Sequence, residues 1–295
     1  MTTYWARGSA IGDYRVDEEL SHACGVITFR AIHATLGRTV IIKLLSEPSR
    51  LRGADAHFVR EAQVLDRLRH SGVARIYDCG MLDDGRPWFA CEDLIGPTLA
   101  EVIASGARVD VAYALGQLAA IVAHAHRAGI AHRGLRAENV ICVVEPTGIR
   151  LVVDDWTATR ELRQSPSDAA ADVHALGLIG LQMLGGIMAF SSGALAMLAS
   201  SSATARFPRA PVALTGLLDR MLAREVSVRP SIDAVVAEAA TQVAATRAPV
   251  RPAAPTLPPL PAALARIAAA IPPPPPPRFP VEQDIETTRI HRVAL

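Results

Sequence analysis

The sequence predicts an α+β fold: a strand-rich beginning around one helix, a helix-rich middle, and an extended, proline-rich end. Three observations carry this. Short runs rich in β-branched residues, at 27–31, 39–44 and 140–144, read as strands. Residues 54–68 and 112–128 carry apolar side chains at helical spacing. From Arg247 the composition changes, with thirteen of the 21 prolines in the last 50 residues, and proline continues neither a helix nor a central strand. At 295 residues, half of them hydrophobic, the chain is long enough to bury one or two sizeable cores.

Taken in order, residues 10–44 alternate like strands, with Leu36-Gly37 as a turn. The helix at 54–68 places Phe58, Leu65 and Leu68 on one face with Glu61. A carboxylate on an apolar face is costly unless paired, and Lys43 in the preceding strand is its natural partner. Residues 74–78 and 87–91 read as strands around the turn Asp83-Asp84-Gly85-Arg86, and Gly96-Pro97 ends the second. The apolar helix at 112–128 stops near Gly129. It leads into Ile130-Ala131-His132-Arg133-Gly134-Leu135-Arg136-Ala137-Glu138-Asn139-Val140, a tight loop between buried elements. A short strand at 151–153 precedes Asp154-Asp155-Trp156-Thr157.

Residues 175–198 hold no charged side chain and are long enough to cross a bilayer. Five glycines, Gln182 and Ser191-Ser192 interrupt them. A buried helix broken at Gly185-Gly186 is therefore expected in place of a membrane span, and a membrane-anchored module is the weakest of three readings. The net charge of +1 gives no reason to expect nucleic acid or acidic lipid as a partner. Cys24, Cys79, Cys91 and Cys142 stand far apart and read as reduced, mostly buried thiols of a cytoplasmic protein. Tyr4, Trp5 and Arg7 open no apolar leader.

The loop at 130–140 resembles the catalytic loop of protein kinases, H-R-D-L-K-P-E-N, and further motifs come in the family's order. Val40-Ile41-Ile42-Lys43 resembles the V-A-I-K strand, which makes Lys43 the phosphate-binding lysine and Glu61 its ion-pair partner. Residues 91–99 resemble the hinge, with Cys91 at the gatekeeper place. The D-F-G motif has two registers here. Asp155-Trp156-Thr157 keeps an aromatic in the middle, whereas counting from Gly148 favours Asp154. Asp172-Val173-His174-Ala175-Leu176-Gly177 resembles the start of helix F, whose aspartate accepts backbone N–H bonds from the catalytic loop. Ser227-Val228-Arg229-Pro230-Ser231 resembles an R-P-S on the distal helix.

The resemblance covers roughly residues 11–245 and looks most like the bacterial, eukaryotic-like Ser/Thr kinases. It implies a two-lobed fold: an antiparallel-sheet N-lobe with one helix over 1–95, a larger helical C-lobe over 96–246, and a disordered tail over 247–295. It also implies ATP and Mg2+ as the cofactors of such a site. Lys43 and Glu61 would face the nucleotide, and Asn139 with Asp155, or Asp154 in the other register, would face the metal.

Several positions depart from the family. Gly134 replaces the aspartate that accepts the substrate hydroxyl's proton. Ser21, Ala23 and Val26 stand where the phosphate-cradling glycines belong, with Gly25 one place out of register. Ile41 replaces the small alanine over the adenine, and Arg136 replaces the lysine that supports the transferred phosphate. No A-P-E occurs after residue 158, so Arg229 lacks that glutamate and is expected to face water or another acid. Loss of the base, the loop glycines and the substrate-docking segment together implies a pseudokinase that works as a scaffold or regulatory binding module. The alternative is a divergent ATP-dependent Ser/Thr kinase in which Glu138 or Asp154 serves as base.

The tail contains a proline run at 272–277, suited to a polyproline-II spacer or to an aromatic-lined groove. Its end, Glu282-Gln283-Asp284-Ile285-Glu286-Thr287-Thr288-Arg289-Ile290, resembles phosphothreonine segments read by forkhead-associated domains. Thr287 and Thr288 are the phosphosite candidates, with an active Ser/Thr kinase and a forkhead-associated-domain protein as the implied partners. The other reading is an unmodified disordered end.

Overall fold

A computed structural model describes residues 5–23, 25–47, 54–146, 148–156, 160–161, 167–185 and 202–246. Thr287, Thr288, the proline run, Cys24, Thr157, residues 186–198 and parts of 158–171 lie outside this set.

Six strands form one antiparallel sheet in the order β1-β2-β3-β4-β6-β5. They are β1 (Ala10–Ile11), β2 (Tyr14–Ala23), β3 (Val26–His33), β4 (Thr39–Leu45), β5 (Ile76–Met81) and β6 (Pro87–Glu92), with helix α1 (Ala54–Arg67) between β4 and β5. Successive side chains of β4 point to opposite faces of the sheet. Val40, Ile42 and Leu44 are buried on one face with Phe29, Ala31 and Trp88. Ile41 and Lys43 turn to the other face, where Ile41 packs against the larger core.

The rest is mostly helical: α2 (Leu99–Ala104), α3 (Val111–Arg127), α4 (Ser167–Gly185), α5 (Ala203–Arg206), α6 (Val212–Met221) and α7 (Ile232–Thr246). Two short antiparallel pairs complete it, β7 (Ile130–Ala131) with β10 (Arg160–Glu161), and β8 (Val140–Glu145) with β9 (Gly148–Val153). A capping box between Thr98 and Glu101 starts α2, and Asp110 starts α3 by accepting the Tyr113 N–H at 3.1 Å. The central α3 buries Leu115, Leu118 and Val122 completely and packs on α4 and α7. Where the sheet gives way to the helices, Gly96 is required. A Cβ there would lie 2.1 Å from the Cys142 carbonyl oxygen, and the Cys142 N–H donates to Pro97 O at 2.8 Å.

The α+β expectation holds, and three local readings are corrected. The strand at 74–78 moves to Ile76–Met81, because Val73 and Ala74 are buried in the core and Val73 bridges Val153 outside the sheet. Helix α4 begins at Ser167, so Asp172 lies inside it and does not open it. Within α4, a Cβ at Gly180 would come within 2.5 Å of Leu218 Cδ2, so the glycine lets α4 and α6 approach closely. Arg229-Pro230-Ser231 precedes α7 and is not part of it. Cys91 and Cys142 are buried as expected, while Cys79, on the edge strand β5, is exposed. No helix among the described residues is long and apolar enough to cross a membrane.

Candidate functional site

The site forms where the Lys43 face of β4 meets α1 and the loops after β7 and β9. Lys43 Nζ donates to Glu61 Oε1 at 2.6 Å, and Glu61 is 4% exposed among the apolar residues of α1. Asp154 Oδ1 stands 3.9 Å from the same nitrogen. Burial pulls the Lys43 ammonium down, but Asp154 and Glu61 outweigh it and hold the group above its ordinary value. For Glu61 the balance is reversed: burial pushes the carboxyl above its usual range against the pull of Lys43. One ammonium is shared among several acids, so each acid receives only part of its charge.

The loop after β7 is fixed from two sides. From α4, the buried Asp172 accepts the backbone N–H groups of His132 and Arg133, both at 2.8 Å, and His126 Nε2 lies 2.9 Å from it. From within, His132 Nδ1 accepts the Gly134 N–H at 3.2 Å, so its proton sits on Nε2, which donates to the Asp154 carbonyl at 3.1 Å. Burial holds this imidazole below its ordinary pKa, and its ring lies 4.6 Å from that of the buried Trp156. Trp156 in turn donates Nε1–H to Val153 O at 2.9 Å. Arg133 and Asp155 are the only non-glycine residues with positive φ among those described, at 64° and 58°. Such conformations collect at functional loops.

Asn139 Nδ2 donates to Gly134 O at 2.9 Å and to Asp155 Oδ2 at 3.3 Å. Each carboxylate of the Asp154-Asp155 doublet thus has a neighbour in the site: Asp155 meets Asn139, and Asp154 lies 3.9 Å from Lys43 Nζ. With its nitrogen so engaged, Asn139 keeps Oδ1 as an oxygen donor beside a carboxylate. That set fits magnesium, which takes one or two protein oxygen ligands and keeps several waters. Among the described residues no group of three or more His, Cys, Asp or Glu is arranged to hold a metal. At Gly134 only backbone groups are present.

The hairpin of β2 and β3 occupies the place of the Gly-rich loop, with Ala23 paired to Val26. Gly25 O accepts both the backbone N–H and the hydroxyl of Ser46, at 2.9 and 3.0 Å. Ile41 pairs with Cys91 across the sheet. Burial pushes the Cys91 thiol up to about 12, which leaves it protonated and unreactive.

Other partners were not read from the sequence. Arg133 pairs with Asp168 at 3.1 Å. Arg150 ties three segments together, donating to Glu145 at 2.5 Å and to Glu92 and Ser71 O at 2.7 Å each. Arg229 is half-buried, and among the described residues its guanidinium donates to carbonyls in place of the expected acid, to Ala223 O at 2.8 Å and Ala170 O at 3.0 Å. None of these contacts has a periodic sequence signal: the carboxylate partners of Arg133 and Arg150 are distant in sequence or in another element, and carbonyl acceptors are present at every residue.

Residues 23–156 match the family model described as protein kinase domain. The chain is 25% identical over 269 residues to the serine/threonine-protein kinase pkn3 of Myxococcus xanthus, covering 77% of this chain and 48% of that protein. It is 24% identical over 231 residues to the serine/threonine-protein kinase PknL of Mycobacterium tuberculosis, covering 69% and 57%. It is also 24% identical over 269 residues to the probable serine/threonine-protein kinase pknA2 of Bifidobacterium longum, covering 79% and 35%. The chain thus spans from about a third to just over half of the length of these relatives.

Proposed function

We propose that this chain, whose residues 23–156 match the protein kinase domain model and which is similar to bacterial Ser/Thr protein kinases, is a pseudokinase, a nucleotide-site fold used as a regulatory or scaffolding module without phosphoryl transfer. One observation carries the reading. The loop around Gly134 keeps its bracing, with His132 Nδ1 on the Gly134 N–H and Asn139 Nδ2 on its carbonyl, yet no side chain stands at that position to take a hydroxyl proton. Lys43 supplies a cation for phosphate, Glu61 holds that cation, and Asn139 Oδ1 with the Asp155 carboxylate are the donors that would hold magnesium. Bound magnesium would neutralise phosphate charge. Phosphoryl transfer depends on positioning and electrostatics, and the positioning of the acceptor is what this loop lacks. Ile41 narrows the space for a purine. The terminal Thr287 and Thr288 complete the proposal as sites for an active Ser/Thr kinase, to be read by a forkhead-associated-domain protein.

The second reading is a divergent Ser/Thr kinase of low activity, favoured by the buried 2.6 Å Lys43–Glu61 pair and by the Asn139–Asp155 contact. The test is label transfer from γ-labelled ATP with magnesium, to the protein itself and to a basic acceptor protein, with Lys43→Met as background. The pseudokinase reading expects no incorporation above that background. Incorporation that requires Lys43 replaces it with the second reading.

A further inference from the structure

His70 stands just beyond the end of α1, in the turn that leads to β5, and its ring is half-buried. Nδ1 accepts the Gly72 N–H at 2.9 Å, and the ring lies 5.0 Å from that of His124 on α3. Gly72 is pressed onto α3: a Cβ there would lie 2.2 Å from Ile121 Cγ1. The Gly72 carbonyl accepts the Val153 N–H at 2.9 Å, and Val73 bridges Val153. One turn thus joins three elements. Helix α1 carries Glu61 into the cleft, β9 ends at Val153 directly before Asp154, and α3 is the buried helix beneath the turn.

A backbone N–H can only donate, so Nδ1 must be free of a proton for the Gly72 bond to exist. An imidazolium carries N–H on both nitrogens and would turn a donor against that amide. The surroundings oppose a proton as well. From α1 and its turn come Arg67, which donates to Ala128 O at 2.9 Å, and Asp66 with Arg69, paired at 3.6 Å. From α3 come His124 and Arg127, which reaches Asp233 at 3.4 Å. His70 also lines a cavity of about 670 Å³, which gives solvent protons access to it; Arg75, Glu92, Glu145 and Arg150 line the same cavity, and Arg150 holds both glutamates. Burial, His124 and Arg127 hold the His70 imidazole below its ordinary pKa.

We infer that His70 is a proton-operated pin: neutral, it fastens the turn that ties α1 and β9 to α3; protonated, it releases that turn and loosens the cleft bordered by Glu61 and the Asp154-Asp155 doublet. This goes beyond the pseudokinase reading and does not depend on whether nucleotide binds. The sign follows from the neutral form being the bonded one. The stabilisation is complete above the unfolded-state pKa of histidine, about 6.5, and is lost as pH falls through the lower folded value.

The test is amide hydrogen exchange of the purified full chain, compared between about pH 7.5 and about pH 5, with each rate divided by its intrinsic value at that pH. Protection at Gly72 and Val153 is read against Leu118, fully buried in α3. On acidification of the parent, protection at Gly72 and Val153 should fall about tenfold more than at Leu118, as one lost hydrogen bond implies. His70→Asn places an amide oxygen near the place of Nδ1 and does not titrate, so it should keep its protection. The carboxylates titrate alike in both proteins, and the difference isolates His70. His70→Ala has no acceptor and should show at the higher pH the reduced protection that the parent shows only at the lower. Protection in the parent that does not change with pH, an equal loss in His70→Asn, or full protection in His70→Ala at the higher pH overturns the inference.

Discussion

Replacing Lys43 with methionine keeps the length of the side chain and strands the Glu61 carboxylate. That carboxylate is 4% exposed and has its ammonium 2.6 Å away. Removing one partner from a buried pair costs about 3–5 kcal/mol, against about 1 kcal/mol or less for an exposed pair. For a body of this size each kcal/mol corresponds to roughly 2–4 °C. Lys43→Met should therefore melt roughly 6–20 °C below the parent at neutral pH. The sign of the pH dependence comes from Glu61. Burial already holds its folded pKa above the ordinary value while Lys43 pulls it back, so losing Lys43 raises it further. A carboxyl that holds its proton more tightly when folded loses stability as pH rises from its unfolded to its folded pKa. The deficit of Lys43→Met relative to the parent should be small near pH 4.5 and grow toward pH 7. Urea unfolding at several pH values, monitored by the fluorescence of Trp88 and Trp156, reads this directly. The double variant Lys43→Met with Glu61→Leu should recover most of the loss, since no buried charge remains. A loss below about 1 kcal/mol, a loss independent of pH, or a double variant no better than the single one would refute the buried-pair account.

Two further outcomes concern the braced loop and the helix packing. Asp172→Ala leaves the N–H groups of His132 and Arg133 without their acceptor, and should cost about 2–5 kcal/mol in chemical denaturation, with hydrogen exchange at those two amides accelerated more than at α3. Gly180→Ala drives a Cβ toward Leu218 and should cost about 1–3 kcal/mol; adding Leu218→Val should restore part of it, and full stability in the single variant would deny the close approach of α4 and α6.

The pairing of Lys43 with Glu61 was legible because a carboxylate on an apolar helix face demands a cation, and the resemblance of residues 40–43 to the V-A-I-K strand named Lys43. The brace by Asp172 was legible only through the family resemblance: nothing local in the sequence says that its oxygens reach residues 132 and 133. The partners of Arg229 were not legible, since it donates to backbone carbonyls and a sequence advertises charges far better than carbonyls; those of Arg150 were not, because Glu92 and Ser71 lie on other segments that only the fold brings to it. The packing role of Gly180 was not legible for a related reason. Glycine weakens a helix by its entropy, and that tendency is visible locally, whereas the neighbouring helix that requires a missing Cβ is not. The two registers of the Asp154-Asp155 doublet presented a choice that the structure does not force, because each carboxylate has a partner of its own.

The most direct test of the central claim is phosphorus NMR of ATP and magnesium with a stoichiometric amount of the purified chain, monitored for hours beside a Lys43→Met sample. A pseudokinase with an intact nucleotide site should shift or broaden the nucleotide resonances while no ADP or phosphoprotein accumulates beyond the Lys43→Met sample. Accumulation of either product in a Lys43-dependent manner would contradict that claim and identify the protein as a working kinase.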